Sequence, residues 1–383
     1  MINIISAVSM MGVGIGTMAL IVVMSAFNGL ENLVSDLYST FDPDIKITIK
    51  EGKTFDASGF SKEKIKNIRG VKYYCESLEE TIYLRYKDSE AIATVKGVEE
   101  DFVRMSGLDS MITEGDLILK SKGNNYAVVG YGIAYKLGLF LENIFEPLRI
   151  YSARRDEFTA INPEQAFKQG NIMPSGVFMI NQDFDLKYIL VPLDFAKELL
   201  ERKNEVSAVE IGLEEGVDEV FVKNEIVKLT GEKFDVKTRY EMNELIFKTN
   251  KTEKWITYLI LTFILVIATF NVIGSLTMLI LEKKDDMNIL RSIGAEKNVI
   301  KKIFLFEGML ITLSGGLCGL LLGALLCAGQ QLFGFVRLQG VIVEFYPVKL
   351  IPYDFLVVIA TVLTIGFIAS WLPVKYVTGR FLK

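Results

Sequence analysis

The 383-residue chain contains no histidine. That absence removes Ser–His and Cys–His nucleophile pairs, histidine general bases and most zinc sites at once. Cysteine is nearly missing too: Cys75, Cys318 and Cys327 are the whole complement. Two of them share one apolar run and Cys75 stands alone in a polar region, so no disulfide framework is expected. No stretch reads G-x-x-x-x-G-K-[ST]; Gly231-Glu232-Lys233 lacks both the upstream glycine and the following hydroxyl, which excludes a P-loop. The formal charge is −5, and no basic stripe with interleaved aromatics breaks it, so no nucleic-acid surface is expected. Carboxylate chemistry survives these cuts. However, Glu79-Glu80 and Glu99-Glu100-Asp101 read as solvated strand ends and turns, so an enzyme is the weakest class.

What is present is apolar length. Half of the residues are hydrophobic, yet 23% are charged, which divides the chain between lipid and water. No charge falls between Ile2 and Leu30, too long a run for a signal-peptide core. Ile256 to Ile280 is equally free of charge, with Trp255 and Tyr258 at the start where an interfacial aromatic belt belongs. A third run goes from Ile303 to about Phe335, broken by Glu307; the fourth is Phe355 to Leu372. Four transmembrane helices are expected.

Orientation follows from the short loops. Lys283, Lys284, Arg291, Lys297, Lys301 and Lys302 lie between the second and third runs, and Lys375, Arg380 and Lys383 follow the fourth. The loop between the third and fourth carries Arg337 and Lys349. The positive-inside rule puts both termini and the 281–302 loop in the cytoplasm, and Asn28 to Lys254 outside.

That outer segment reads as an α+β domain. Asp44 to Lys50 alternates with three isoleucines on one face, the mark of a half-buried strand. Thr81–Tyr86 and Ala91–Val98 read as a hairpin turning over Lys87-Asp88-Ser89-Glu90. Tyr188–Pro192 reads as a strand, Asp194–Leu200 as an amphipathic helix with Leu193, Ala196, Leu199 and Leu200 inward, and Val209, Ile211 and Leu213 as another alternating strand. Tyr151 to Ser175, with Pro163 and Pro174, reads as an exposed loop. The helical spacing Leu30, Leu33, Leu37 continues past the first span, and Arg239 to Lys254 leads into the second. The expected divisions are 1–38, the first helix and its extension; 39–238, the outer domain; 239–281, a stalk and the second helix; 282–302, a short helix and loop; 303–336, the third helix; 337–354, a short outer loop; and 355–383, the fourth helix and tail.

The strongest signal lies between the second and third spans. Glu282, Lys283, Asp286, Ile289, Leu290, Arg291, Gly294 and Ala295 match a loop of the form E-K-x-x-D-I-x-I-L-R-x-x-G-A. Phe304-Leu305-x-Glu307-Gly308 follows, with a ladder of Gly315, Gly319 and Gly323. The pattern strongly resembles the permease domain of FtsX- and MacB-like ABC transporters. Ala26-Phe27-Asn28-Gly29-Leu30-Glu31 at the end of the first span makes the chain look most like the lipoprotein-releasing permeases, LolC and LolE, while Val95-Lys96-Gly97-Val98-Glu99 and Gly130-Tyr131-Gly132-x-Ala134 resemble segments of the MacB-type periplasmic core. In that family a cytoplasmic stretch usually precedes the first span; here Met1 stands almost at its start. Tyr151 to Ser175 occupies the place of the loop that recruits a periplasmic carrier in LolC-type subunits.

The resemblance implies four transmembrane helices plus a periplasmic domain of MacB-core type, in the bacterial inner membrane. It implies a non-catalytic subunit that extracts lipoproteins from the outer leaflet and passes them to a periplasmic carrier. ATP and Mg would be bound by a partner ATPase, with no cofactor on this chain. A second permease copy or a paralogue would complete the pore, and Phe27, Asn28, Phe263, Phe270 and Asn271 are candidates for the wall of a lipid-accepting cavity. FtsX-like mechanotransmission to a periplasmic partner, or MacB-like efflux with a separate ATPase, are the competing readings.

The residues refine this. Ile289, Leu290 and Ile293 share one helical face, and Asp285, Asn288, Arg291 and Ser292 another, with Gly294 as a natural stop. Such a helix suits either a groove on an ATPase or lipid headgroups. Gly12, Gly16, Gly315, Gly319 and Gly323 are expected to let helices pack closely. Glu307 sits about one turn inside the third span, where an ionised carboxylate is costly and needs a partner, Lys301 or a cation on another chain. Asn271 is expected to hydrogen-bond across helices.

Overall fold

The computed structural model describes residues 2–59, 62–141, 146–154, 167–337 and 345–378. In chain order α1 is Ile2–Phe41, followed by β1 (Ile45–Ile49), β2 (Phe55–Asp56), α2 (Lys62–Lys66), β3 (Val71–Tyr86) and β4 (Ser89–Val98). Then come α3 (Glu100–Met105), β5 (Ile112–Gly115), β6 (Lys120–Ser121), β7 (Asn124–Gly130), α4 (Tyr131–Leu137), β8 (Leu148–Ala153) and β9 (Phe167–Phe178). The domain ends with α5 (Gln182–Asp185), β10 (Tyr188–Pro192), α6 (Leu193–Leu199), β11 (Glu205–Val206), β12 (Ala208–Leu213), α7 (Glu219–Thr230), β13 (Phe234–Thr238) and α8 (Arg239–Met242). The last helices are α9 (Glu244–Glu282), α10 (Lys284–Ser292), α11 (Lys297–Phe333) and α12 (Pro352–Pro373).

The chain divides into two compact units: Met1–Leu33 with Leu245–Gln339 and Val343–Lys383, and Val34–Glu244 with Gly340–Ile342. In the first unit, α1, α9, α11 and α12 are each long and apolar enough to cross a membrane. Val13, Leu20, Ile21, Leu265, Val272, Leu276, Leu320, Val358 and Val362 bring all of them to one apolar core. Polar side chains inside it turn back on backbone carbonyls. Thr17 Oγ1 donates to Val13 O at 2.8 Å and Ser9 Oγ donates to Asn271 O at 3.0 Å, while Thr262 Oγ1 on α9 is buried without a hydrogen-bond partner.

In the second unit, the main sheet runs β13-β1-β12-β3-β4-β10-β7-β9-β5. Strand β8 pairs with both β3 and β9, so β3, β4, β10, β7, β9 and β8 close into a ring. Closure removes the exposed edges that six open strands would leave. Leu78, Leu84, Val95, Val129, Ile150, Ile189 and Val191 fill the core of this ring, together with α4 and α6. A second core gathers Ile45, Ile47, Tyr74, Val209, Ile211, Val222, Ile226 and Val236.

The expected strand at 44–50, the strand at 188–192 and the helix at 194–200 all form, with Leu193, Ala196, Leu199 and Leu200 buried. The hairpin is longer than expected. Tyr86 pairs with Ser89, so only Lys87 and Asp88 turn the chain, Lys87 at φ 52°. The exposed-loop reading of Tyr151–Ser175 is overturned at both ends. Tyr151–Ala153 lies in β8 and Phe167–Ser175 in β9, paired Tyr151 with Gln169 and Ala153 with Phe167. Pro174 is tolerated in β9 because the register with β7 shifts beside it, between Ala127 and Val128. Residues 155–166, with Pro163, and the tail lysine and arginine Lys383 and Arg380 lie outside the described residues.

Glu79 and Glu80 are not solvated strand ends. Lys46 Nζ sits 2.8 Å from Glu79, and Arg202 Nη2 sits 3.0 Å from Glu80. Burial alone would raise the Glu79 carboxyl, but the Lys46 and Lys96 ammoniums outweigh it and hold the pKa down to about 2. On β12, the alternation of Val209, Ile211 and Leu213 does not leave a wet face, because Glu210 is itself fully buried.

Candidate functional site

The α10 segment starts where α9 ends, at Lys283, whose ammonium pairs with Asp286 at 2.8 Å on the surface. Met287 is the anchoring residue. It is 2% exposed and packs with Leu279, Ile280, Ile300, Phe304 and Val374. The helix stops on Gly294 at φ +100°, with Ala295 N–H donating to Leu290 O and Gly294 N–H to Arg291 O. That bonding pattern is the Schellman arrangement, and its left-handed residue is why a glycine stands there.

The apolar face of α10 points away from this anchor. Ile289 is 59% exposed and Ile293 79%, and Leu290 is exposed as well. Their face is thus presented outward while Met287, absent from the sequence-based set, holds the helix in place. Burying such a face on another surface removes apolar area from water at roughly 25 cal/mol per Å².

The packing glycines separate into two groups. A Cβ on Gly315 would meet Met10 O at 2.5 Å, and one on Gly319 would collide with Gly14 O. Gly16 faces Leu265 Cδ1 at 2.9 Å and Gly323 faces Ile21 Cβ at 3.2 Å. Gly12 does not belong with them, since its nearest neighbours are in ordinary contact, Ala268 Cβ at 3.9 Å and Asn271 Nδ2 at 4.0 Å. Gly14 does belong, facing Gly315 O at 3.2 Å, and its place in the Gly12-Val13-Gly14-Ile15-Gly16 run could have signalled it.

Of the five cavity-wall candidates, Phe263 and Phe270 are exposed on one side of α9, at 65% and 63%. Asn271 is exposed too and takes part in a cross-helix bond through its backbone carbonyl, which accepts from Ser9. Phe27 is half-buried. Asn28 is 3% exposed and engaged on both sides of its amide. Its Nδ2 donates to Asp354 Oδ2 at 2.5 Å, and its Oδ1 accepts from Lys254 Nζ at 2.6 Å. Glu307 lies on the outward face of α11 beside Phe306 and Leu310. Sequence reasoning also missed Lys254 and Asp354, which sit at the margins of the apolar runs and look like ordinary flanking charges.

Two family models match the chain. Residues 6–229 match the MacB-like periplasmic core domain and residues 258–380 the FtsX-like permease C-terminal domain. The chain belongs to the FtsX- and MacB-like ABC transporter permeases. It is 23% identical over 376 residues to the lipoprotein-releasing system transmembrane protein LolC of Buchnera aphidicola subsp. Schizaphis graminum, covering 98% of this chain and 91% of that protein. It is 22% identical over 418 residues to the corresponding LolE of Haemophilus influenzae, covering 97% and 92%. The periplasmic region of MacB from Actinobacillus actinomycetemcomitans aligns over 56% of this chain and 97% of that one, at 10% identity and a TM-score of 0.39.

Proposed function

We propose that this permease extracts lipoproteins from the outer leaflet of the bacterial inner membrane and passes them to a periplasmic carrier. Likeness to LolC and LolE along nearly the whole chain supports this reading, not only along one domain. The observation that carries the energy-coupling half is the outward apolar face of Ile289, Leu290 and Ile293 on a helix anchored by Met287. An ATPase on a separate chain, holding ATP and Mg, docks there, with Glu282, Lys283, Asp286, Arg291, Gly294 and Ala295 shaping the contact. Both termini and α10 are cytoplasmic, and the β-rich domain is periplasmic.

In the proposed cycle, the aromatic face of α9 at Phe263 and Phe270 receives acyl chains. A second permease copy or paralogue supplies the opposite wall and a cationic partner for the Glu307 carboxylate. Nucleotide-driven movement of α10 then closes the cavity and expels the cargo. Depleting the protein is expected to leave lipoproteins in the inner membrane. Normal release in the depleted strain would overturn the reading. The unbroken run of α1 from Ile2 to Phe41 favours mechanical transmission as a second reading. A cell-wall hydrolase co-purifying without acylated cargo would support that instead.

A further inference from the structure

The Asn28-Gly29 pair, singled out by its motif, has a structural role that the cycle above does not use. Asn28 is one side chain between a cation and an anion on two other helices. Its carbonyl takes Lys254 of α9 at 2.6 Å, and its amide nitrogen serves Asp354 of α12 at 2.5 Å and the Lys349 carbonyl at 3.2 Å. Lys254 Nζ also lies 3.8 Å from Asp354 Oδ1. Gly29 lets the chain at 347–349 press on this turn of α1, since a Cβ there would strike the Pro347 carbonyl and lie 2.6 Å from Val348 N. Lys349 N–H donates to Ser25 O at 2.9 Å on the same turn. All three side chains are largely sheltered: Asn28 is 3% exposed, Asp354 4%, and the Lys254 side chain 19%.

A sheltered ammonium cannot lose its acceptor cheaply, so α9 leaves α1 only if Lys254 has another acceptor in reach. Asp354 is that acceptor. We infer that Asn28, Lys254 and Asp354 form a latch in which the lysine is handed from the Asn28 amide to the Asp354 carboxylate when α1 and α9 separate. In the latched state, Asn28 ties α1 to both neighbours. In the released state, a direct Lys254–Asp354 ion pair keeps the charge neutralised while α1 is free. The two states differ by one acceptor, which is what a two-state element requires. The inference rests on the proposed cycle, in which α9 lines the cavity and shifts as it opens and closes.

The test measures spacing rather than transport. Spin labels on Glu31→Cys and Glu253→Cys, both exposed positions, go into the full chain with Cys75, Cys318 and Cys327 replaced. The chain is kept in nanodiscs with its co-purifying ATPase, and the label distance is read by double electron–electron resonance without nucleotide and with ATP plus vanadate. The wild type is expected to move by roughly 5 Å between the two conditions, on the scale of helix shifts in switching proteins. Asn28→Leu and Lys254→Met are both expected to show the longer distance without nucleotide, each serving if the other fails to fold. Asp354→Leu, which has no acceptor to take the lysine, is expected to stay short in both conditions. Wild-type distances in both Asn28→Leu and Lys254→Met, or a full nucleotide response in Asp354→Leu, would overturn the latch. The label readings needed for the latch can occur in a protein whose depletion leaves lipoprotein release normal; that result would sink the cargo reading and leave the latch standing.

Discussion

Lys96 and Glu210 face each other at 3.0 Å from adjoining parts of the sheet, with 1% and 0% of their side chains exposed. Ser77 Oγ donates to the same carboxylate at 2.7 Å, and the ammonium lies 4.6 Å from the Phe41 ring centre and 4.5 Å from that of Phe102. Phe41 is the last residue of α1 and stacks on Phe184 and Tyr188 as well. The terminal residue of the first long helix is therefore held by an aromatic cage around a buried charge. Removing one member of a buried pair leaves the other uncompensated. Lys96→Met is expected to lower stability by about 3–5 kcal/mol, while Lys96→Met with Glu210→Leu recovers most of it. Chemical unfolding of the purified chain, followed by tyrosine fluorescence, checks both.

Helix packing gives a paired prediction. Gly319→Leu drives a side chain into the Gly14 carbonyl and is expected to cost at least about 1–3 kcal/mol, lowering the melting temperature of the solubilised protein. Gly12→Ala meets only ordinary contacts and is expected to be neutral or stabilising by up to about 1 kcal/mol. Equal effects at the two sites would refute the assignment of Gly14 and Gly319 as the close crossing.

At α10, Ile289→Asp and Ile293→Asp are expected to weaken ATPase association by about 2 kcal/mol each, roughly thirtyfold, without altering the melting temperature. Met287→Ala should do the opposite in kind, lowering stability by about 2–5 kcal/mol through a cavity. Pull-down titration and thermal melting separate the two.

The domain also carries opposed pH responses. Burial pushes the Asp185 carboxyl up to about 6, against hydrogen bonds from the Ile180 and Asn181 backbones. From its ordinary 3.8 up to about 6, the folded protein keeps a proton that the unfolded chain has released, so stability falls as pH rises through that window. Glu79 behaves oppositely. Its stabilisation is present above 4.5 and is lost as pH falls towards about 2. Asp185→Asn is expected to flatten only the upper limb of a stability–pH curve, and Lys46→Met to shrink the lower one.

Much of this protein was legible before folding. An uncharged run from Ile2 to Leu30 admits few environments other than lipid, and the strand at Ile45–Ile49 declares its face by alternation. The α10 motif and its glycine stop were likewise visible, because helical periodicity and a left-handed residue are local properties. Tyr151–Ser175 misled because polarity and prolines normally mark loops, whereas here β8 and β9 complete a ring of strands whose partners come from distant sequence.

By itself the sequence determined that four runs are apolar enough to cross a membrane, several of the helices and strands, and the family, since each depends on composition or short-range pattern. Only the tertiary structure decided which charges are buried. Lys96, Glu210, Lys254 and Asp354 look like solvated residues on alternating strands or at span margins. Whether each is a liability or an anchor depends on a partner more than a hundred residues away in two pairs, |i−j| 114 for Lys96 with Glu210 and 326 for Asn28 with Asp354. The free energy of a charge is set by what surrounds it in space, and one-dimensional order does not contain that information.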